Sequence, residues 1–162
     1  MARGAVTEPP FIGRYRRRFD TTWTDDTAIG RVRFVVLDSE TTGLNPRTDR
    51  LVTIGAVAVQ GHEILLGDSF EALIRVAENT SAVTVHGVTR DESLSGLDEP
   101  EALERFLDYL GDDVIVGHHI GHDVAMIDAA CTRHWGVQLS NRTVTIAGIN
   151  GRIVAGRRWN ST

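Results

Sequence analysis

The chain has 162 residues and is 41% hydrophobic, which suits one domain with an apolar core and argues against wholesale disorder. Its net charge of −5 is not that of a protein that binds nucleic acid through a basic surface. The single cysteine, Cys131, excludes an internal disulfide, and no segment approaches the roughly 18 apolar residues of a membrane helix. We therefore expect a cytoplasmic protein that does not enter a membrane.

Residues 1–30 are rich in arginine and threonine, with a cluster of arginines between Arg14 and Arg18. We expect this segment to be a leader that wraps the surface or is loose. The domain itself is expected to span residues 31–149, followed by an irregular tail at residues 150–162, where the apolar pattern dissolves.

Three strands are predicted after the leader. The run from Phe34 to Leu37 is typical of a strand buried on both faces, and the turn after Thr42 ends it. Leu51 to Val59 predicts a second strand, and a short turn leads to a third strand at about residues 64–74. This meander places the first strand in the middle of a sheet.

Two helices and one strand are predicted with clear boundaries. A helix begins near Asp98, buries an apolar stripe and ends at Gly111. Residues 114–116 form a short buried strand, and a second helix runs from His122 or Asp123 to Gly136. A capping box at residues 89–92 predicts a further short helix.

Asp38 and Glu40 directly follow the first strand. Residues i and i+2 of an extended chain point to the same side, and two neighbouring carboxylates repel each other unless a cation lies between them. Mg²⁺ or Mn²⁺ prefers such oxygen ligands. The alternative is a solvated strand end beside a turn, because Asp-x-Glu is common by chance.

Asp123 lies at the start of the second predicted helix, where the helix dipole favours an anion. A plain N-cap is one interpretation. The other is that the strand at residues 114–116 lies in the sheet and brings the start of this helix to the edge where Asp38 and Glu40 lie. Three carboxylates would then converge at that edge of the sheet.

Four segments, in this order, resemble the DEDD superfamily of 3′–5′ exonucleases, and more narrowly the bacterial polymerase III proofreading subunit and its relatives. They are Val36–Leu44 (first exonuclease motif), Leu51–Val57 (second strand), Val85–Thr89 (His-Gly-Ile-Thr element) and Val116–Asp123 (second motif). The resemblance runs from about Arg33 to Asn141. It implies an α/β fold of the ribonuclease H-like type, a mixed sheet flanked by helices.

The resemblance also implies chemistry. Asp38, Glu40 and Asp123 would hold two divalent ions, Mg²⁺ or Mn²⁺, about 4 Å apart, which activate the attacking water and stabilise the leaving 3′ oxygen. The implied substrate is the single-stranded or frayed 3′ end of DNA, or of RNA, and a polymerase subunit is an implied partner. The residues that would contact the terminal nucleotide are Thr41, Thr42, Gly43, Leu44, His86 and His118.

Three departures from the family pattern stand out. The family commonly has Asn at the position of His119 and Phe at that of His122. It also requires a later His-x4-Asp motif that carries the general base and the last metal ligand. Here the last histidine is His134 and the last acid is Asp128, and Thr145 stands where relatives usually have Asp. We therefore expect a C-terminally incomplete domain, truncated or frameshifted. Because a lost general base costs about 10²–10⁴ in rate, we also expect a weak or inactive enzyme.

Two other functions compete with a weak or inactive exonuclease. One is a catalytically dead module that still binds a nucleic-acid 3′ end or a polymerase. The other is a zinc site made of His118, His122 and Asp123, because an i, i+4 histidine pair on a helix can bind zinc. The chain has no His-Glu-x-x-His sequence, which argues against the zinc site.

Overall fold

Strand β1 (Arg33–Thr41) is a central strand of the sheet. The computed structural model describes residues 8–20, 23–76 and 95–147 and the backbone of residues 152–155. The other strands are β2 (Leu51–Gln60), β3 (Glu63–Leu73), β4 (Val114–His118), β5 (Thr143–Ala147) and β6 (Arg152–Ala155). The sheet has the order β3-β2-β1-β4-β5-β6. β1 pairs antiparallel with β2 and parallel with β4, so the predicted mixed sheet with a central first strand is confirmed.

Within the described residues, three α-helices accompany the sheet: α1 (Pro10–Arg18), α2 (Glu99–Leu110) and α3 (Gly121–Trp135). The predictions for α2 and α3 are confirmed. Gly111 and Gly136 end these helices with φ values of +54° and +69°, a conformation that glycine adopts without steric cost. The short helix predicted at residues 89–92 lies outside the described residues, and no described helix is long and apolar enough to cross a membrane.

The core lies between the three helices and one face of the sheet. On β1, Val35 and Leu37 are almost completely buried, whereas Val36 is 37% exposed. The expectation that this strand is buried on both faces is therefore wrong. The physical reason is that α1, α2 and α3 all contribute to the same apolar cluster on the side of Val35 and Leu37.

Helix α1 corrects the expectation of a loose or surface-wrapping leader for residues 10–18. Its Phe11, Ile12 and Tyr15 belong to the core, and the arginines occupy its exposed side. The Tyr15 hydroxyl donates a hydrogen bond to Oδ1 of Asn141 and accepts one from the backbone N–H of Ser140 (2.9 Å). Burial raises the pKa of Tyr15 far above its ordinary value. The N-terminal helix is thus fastened to the segment that leads into β5.

Strands β5 and β6 are the second correction. β5 was not predicted, and β6 lies inside the segment expected to be an irregular tail. The two strands pair antiparallel with each other, and β5 pairs parallel with β4. β5 alternates threonine with valine and isoleucine, a pattern typical of a strand, whereas the short β6 is defined by its backbone pairing with β5. The domain boundaries at residues 30 and 149 remain a prediction.

β3 is an edge strand that contains a bulge. Its pairing with β2 shifts between Val57 and Ala58, which leaves residues 66–68 out of the ladder and Leu66 80% exposed. Arg33 fixes the bulge through an ion pair with Asp68 (2.8 Å), and the Tyr109 hydroxyl donates to the Asp68 backbone carbonyl (3.0 Å). The bulge is therefore held in place by contacts from β1 and α2.

Replacing Ile12 with Ala tests whether α1 belongs to the folding unit. Ile12 is fully buried, so the substitution should lower the free energy of unfolding by about 2–5 kcal/mol. Arg17→Ala is the control, because Arg17 is an exposed residue of the same helix. Urea denaturation of both variants gives the answer. Equal midpoints for Ile12→Ala and the parent chain would show that α1 does not contribute to the core.

Cys131 offers a chemical probe of the same core. Burial raises the pKa of its thiol to about 12, and the thiolate is the reactive form. We expect less than about a tenth of the chain to react with a disulfide reagent within minutes at about pH 8 without denaturant, and complete reaction in about 6 M guanidinium, which unfolds the chain. Complete labelling of the folded chain would contradict the packing of α3 against the sheet.

Candidate active site

The parallel pairing of β1 and β4 determines where the candidate residues lie. Phe34, Val35 and Val36 pair with Val114, Ile115 and Val116 respectively. The two strands therefore end at the same edge of the sheet. Asp38 and Glu40 lie near the end of β1, His118 ends β4, and α3 begins three residues after His118. We call this edge the carboxylate rim, defined by Asp38, Glu40 and Asp123.

Asp38 and Glu40 share one side of β1. Because side chains alternate along a strand, they lie on the side of Val36, whereas Ser39 between them lies on the side of Leu37 and the helices. Asp38 is exposed and Glu40 is half-buried. The rim thus presents one carboxylate to solvent and a second beside it.

Asp123 lies in the first turn of α3 and is only 6% exposed. Its Oδ1 accepts two hydrogen bonds from Ser39, one from the backbone N–H (2.9 Å) and one from the hydroxyl (2.6 Å). The residue at the N-cap of α3 is Ile120, which makes no side-chain capping bond, so the interpretation of Asp123 as a plain N-cap is wrong. Asp123 instead joins the helix to β1 at Ser39, which is the residue between Asp38 and Glu40 in the sequence but lies on the helix side of the strand.

The donor set can be tested against a metal ion. Within the described ranges, no three His, Cys, Asp or Glu side chains lie close enough together to hold one. This finding contradicts the zinc site of His118, His122 and Asp123, and it also means that Asp38, Glu40 and Asp123 do not form a closed three-carboxylate cage. The pair Asp38 and Glu40 still matches Mg²⁺ in chemistry, because this ion is commonly bound through one or two carboxylates and keeps several waters.

The turn between β4 and α3 is built around His119. Its φ of +50° is the one positive value of a non-glycine residue in the described part of the chain. Asn and His are among the residues that adopt this conformation most readily, which explains how His119 fits the turn at a position where the family resemblance implies Asn. The His118 and His119 rings meet at 4.2 Å, edge to face. Thr145 Oγ1 accepts a hydrogen bond from Ile120 N (3.2 Å) and so fixes the other end of the turn.

The loop after β1 is held rigidly. Thr41 Oγ1 donates to the Gly43 carbonyl (2.8 Å), and Thr42 Oγ1 accepts from Arg50 N (2.9 Å). A Cβ on Gly43 would lie 2.5 Å from Oδ2 of Asp49, so a larger residue here would displace the Asp49 side chain. Leu44 follows and is 83% exposed. The loop therefore presents an apolar side chain to solvent. His86, the remaining predicted contact of a nucleotide, lies outside the described residues.

A cavity of about 680 Å³ opens beside this loop and along α3. Pro46 and Arg47 line one side, and Gly121, Val124 and Ala125 line the other. In the described part of the chain, the guanidinium of Arg47 makes no ion pair with a carboxylate.

Sequence reasoning missed both Arg47 and Ser39. The signal for Ser39 was its position between the two carboxylates, but its contact depends on how α3 docks.

Comparison with known proteins decides the family. The RNase T family model, which describes an exonuclease, matches residues 35–152, more than half of the chain. The chain belongs to this exonuclease family. The resemblance to DEDD 3′–5′ exonucleases is thereby confirmed.

Among curated proteins, this exonuclease chain is similar to DNA polymerase III PolC-type of Thermotoga maritima, with 38% identity over 104 residues, 62% of this chain and 7% of that protein. It is also similar to DNA polymerase III PolC-type of Bacillus subtilis (strain 168), with 33% identity over 99 residues, 60% of this chain and 7% of that protein. The chain thus spans less than a tenth of the length of these relatives.

Solved structures confirm the fold. Exonuclease I of E. coli in complex with a dA16 oligonucleotide has a TM-score of 0.56 and 19% identity, covering 64% of this chain and 24% of that one. The same enzyme in complex with a 5cy-dA13 oligonucleotide has a TM-score of 0.60 and 19% identity, covering 72% of this chain and 28% of that one. The ribonuclease H-like α/β fold expected for this exonuclease chain is therefore confirmed.

Substitutions at His119 test the strained turn. His119→Asn should keep the stability of the parent chain, because Asn also tolerates a positive φ. His119→Val should lower the free energy of unfolding by about 1–3 kcal/mol, since a β-branched residue is strained in this conformation. Thermal unfolding of both variants measures the difference. A Val variant as stable as the Asn variant would show that residue 119 does not adopt the positive φ.

Proposed function

We propose that this chain is the exonuclease domain of a metal-dependent 3′–5′ exonuclease that removes mononucleotides from nucleic-acid 3′ ends. The observation that carries the proposal is the carboxylate rim: Asp38 and Glu40 share one side of β1, and Asp123 is bonded to the residue between them. Family membership supports the reaction type. The proposal assigns Asp38, Glu40 and Asp123 to both metal binding and catalysis.

Divalent ions at the rim, Mg²⁺ or Mn²⁺, would supply Lewis-acid stabilisation of the phosphate and lower the pKa of a bound water. Asp38 and Glu40 would hold them directly, and Asp123 is the third carboxylate of the set. A negatively charged rim repels a phosphodiester when it stands alone. The protein's own contribution is therefore to hold carboxylates where cations can bridge them to the substrate.

The loop at Thr41–Leu44 would bind the terminal nucleotide. Leu44 is exposed and can pack on a base. The hydrogen bonds of the Thr41 and Thr42 hydroxyls within the loop stabilise its conformation. His118 lies at the rim on the end of β4, where it can reach the terminal phosphate, and we assign His86 to the same nucleotide by family resemblance. The cavity offers room for the nucleotides that follow the 3′ end, and the cationic Arg47 is one of its lining residues.

The proposed substrate is a single-stranded or frayed 3′ end of DNA. The relatives are DNA polymerases, and the Exonuclease I structures hold oligonucleotides such as dA16. One of those structures is the zinc-bound form of an enzyme–ssDNA complex, which supports a metal-dependent site. RNA is the second substrate to test. A bacterial replicative polymerase is the proposed partner, and the cytoplasm is the proposed location.

A catalytically dead binding module is the second candidate. The observation in its favour is that the described carboxylates do not form a closed group of three. The expectation of weak activity, drawn from the lack of a His-x4-Asp sequence among these 162 residues, remains a prediction.

The decisive assay uses the full chain with a 5′-labelled single-stranded DNA and Mn²⁺ or Mg²⁺. We expect stepwise shortening from the 3′ end that stops when EDTA removes the ion. Asp38→Ala and Glu40→Ala should each lower the rate by a factor on the order of 100, because each removes electrostatic stabilisation at the reacting phosphate. Glu104→Ala, an exposed carboxylate on α2, is the matched control and should keep the rate.

Three outcomes separate the candidates. Shortening that is lost in Asp38→Ala but kept in Glu104→Ala supports the exonuclease. Strand binding without shortening favours the dead module. Shortening at an unchanged rate in both Asp38→Ala and Glu40→Ala would show that the carboxylate rim is not the active site. Repeating the assay with an RNA strand of the same sequence decides the substrate class.

A further inference from the structure

The face of the sheet that carries Asp38 and Glu40 is apolar below these carboxylates. The three described helices all pack on the opposite face, against the core cluster. On the side of Val36, the strand pairings align one valine from each of four neighbouring strands, and we call these residues the valine row: Val144, Val116, Val36 and Val57. Val36 is 37% exposed, and the other three are only partly buried. An exposed apolar patch rimmed by polar residues commonly marks a contact surface.

Acidic side chains border the valine row on its rim side. Asp38 follows Val36 by two residues on the same side of β1 and is exposed. On the same level, across Gly55, lies the exposed Glu71. Within the described part of the chain, neither carboxylate makes an ion pair. An occupant that combines an apolar side chain with neighbouring cations would therefore complement this face.

The chain carries such a segment directly after β6. Residues 156–162 have the sequence Gly-Arg-Arg-Trp-Asn-Ser-Thr, with two arginines, one tryptophan and no acidic residue. They lie outside the described residues. Tryptophan buries a large apolar area, and the guanidinium of arginine matches the geometry of a carboxylate. The segment thus has both properties that complement the valine row and its acidic border.

The position of β6 determines whether this segment can reach the patch. Ala155, the last residue of β6, pairs with Val144 and so lies at one end of the valine row. Neighbouring strands are about 4.8 Å apart, which puts Val36 about 14 Å from Ala155 along the row. An extended chain advances about 3.3 Å per residue, so Trp159 can lie about 13 Å from Ala155. Its ring can therefore rest between Val116 and Val36.

The tether at β6 favours this segment over one from another molecule. Exposed ion pairs are weak, so the arginines alone would not hold a free peptide on the face. A segment joined to the edge of its own docking surface meets that surface at an effective concentration of roughly millimolar. A second copy of the chain would have to reach a comparable concentration in solution to compete.

We propose that residues 156–162 fold back over this face of the sheet, with Trp159 on the valine row and the guanidiniums of Arg157 and Arg158 toward Asp38. The docked segment forms a cap beside the carboxylate rim. The inference goes beyond the proposed function, because it uses Asp38 as an exposed anion and not as part of a reaction. A nucleic-acid strand that binds at the rim would have to displace the cap, so the segment would regulate access to the site.

Limited digestion of the full chain with trypsin tests the proposal without relying on activity, because trypsin cleaves after arginine. Cleavage of the bond between Arg157 and Arg158 is followed by mass spectrometry. Each chain is compared with a synthetic peptide that has its own sequence at residues 152–162. A docked segment must detach before it is cleaved, so we expect the folded chain to be cleaved at least about tenfold more slowly than the peptide.

Substitutions on both partners test where the segment docks. Trp159→Ala should raise the cleavage rate of the chain about tenfold, because the docked population falls. Val36→Thr and Asp38→Asn should each raise it by roughly threefold, since each removes one weaker contact. Glu104→Gln is the matched control, because it neutralises an exposed carboxylate of α2, and it should leave the rate unchanged. Cleavage after Arg105, also exposed on α2, should be equal in all chains and so exclude general unfolding.

Several results would overturn the inference. They are cleavage of the parent chain as fast as of its peptide, equal protection in the parent chain and in Trp159→Ala and Asp38→Asn, and protection that weakens when the chain is diluted. The last result would assign the face to a second copy. If the segment is protected and released as expected but no strand is shortened in the exonuclease assay, the cap stands and the proposed function fails. If strands are shortened and the segment is unprotected, the reverse holds.

Discussion

The parallel pairing of β1 with β4 is the constraint on which the rest of the structure depends. Two parallel strands end at the same edge of a sheet, and the helix that follows β4 must start from that edge. The pairing therefore brings the Asp38–Glu40 pair, the end of β4 at His118 and the first turn of α3 to one place. An antiparallel β4 would have carried α3 to the opposite edge and separated Asp123 from β1.

Contacts at the far end of the domain support this arrangement. Tyr15 of α1 bonds to Asn141, whose amide also donates to the backbone carbonyls of Gly111 and Asp113. These bonds fix the entry to β4 and the entry to β5 relative to each other. Thr145 then bonds to the turn before α3. The carboxylate rim is thus positioned from both ends of the strands, by buried polar contacts as well as by the apolar core.

The parts of the fold that were predictable carry local signals. Gly111 and Gly136 end helices that show apolar stripes, and the β2–β3 hairpin turns at Gly61 with a φ of +61°. Helix α1 has an apolar stripe of only three residues among arginines. Its burial is therefore evident only from the structure, where these three residues pack in the core with the sheet and the other helices. β6 forms because β5 offers it a pairing edge. Neither element has a signal that is independent of the tertiary structure.

The candidate site divides in the same way. Asp38 and Glu40 were recognisable because strand geometry puts residues i and i+2 on one side. That Asp123 bonds to Ser39 could not be predicted, because residues 84 positions apart become neighbours only when α3 docks on the sheet. Likewise, the sequence has His119 where the family resemblance implies Asn, but only the backbone of the turn explains why histidine is tolerated there.

The bulge in β3 affects whether a strand of another molecule can pair with this edge of the sheet. An edge strand exposes a row of unpaired N–H and C=O groups that invites strands of other molecules to add to the sheet. Here residues 66–68 leave the ladder, and the ion pair between Arg33 and Asp68 holds them out of line. An incoming strand would find no continuous template along this edge. The exposed Ile64 and Leu66 are thereby kept from nucleating intermolecular β-aggregation.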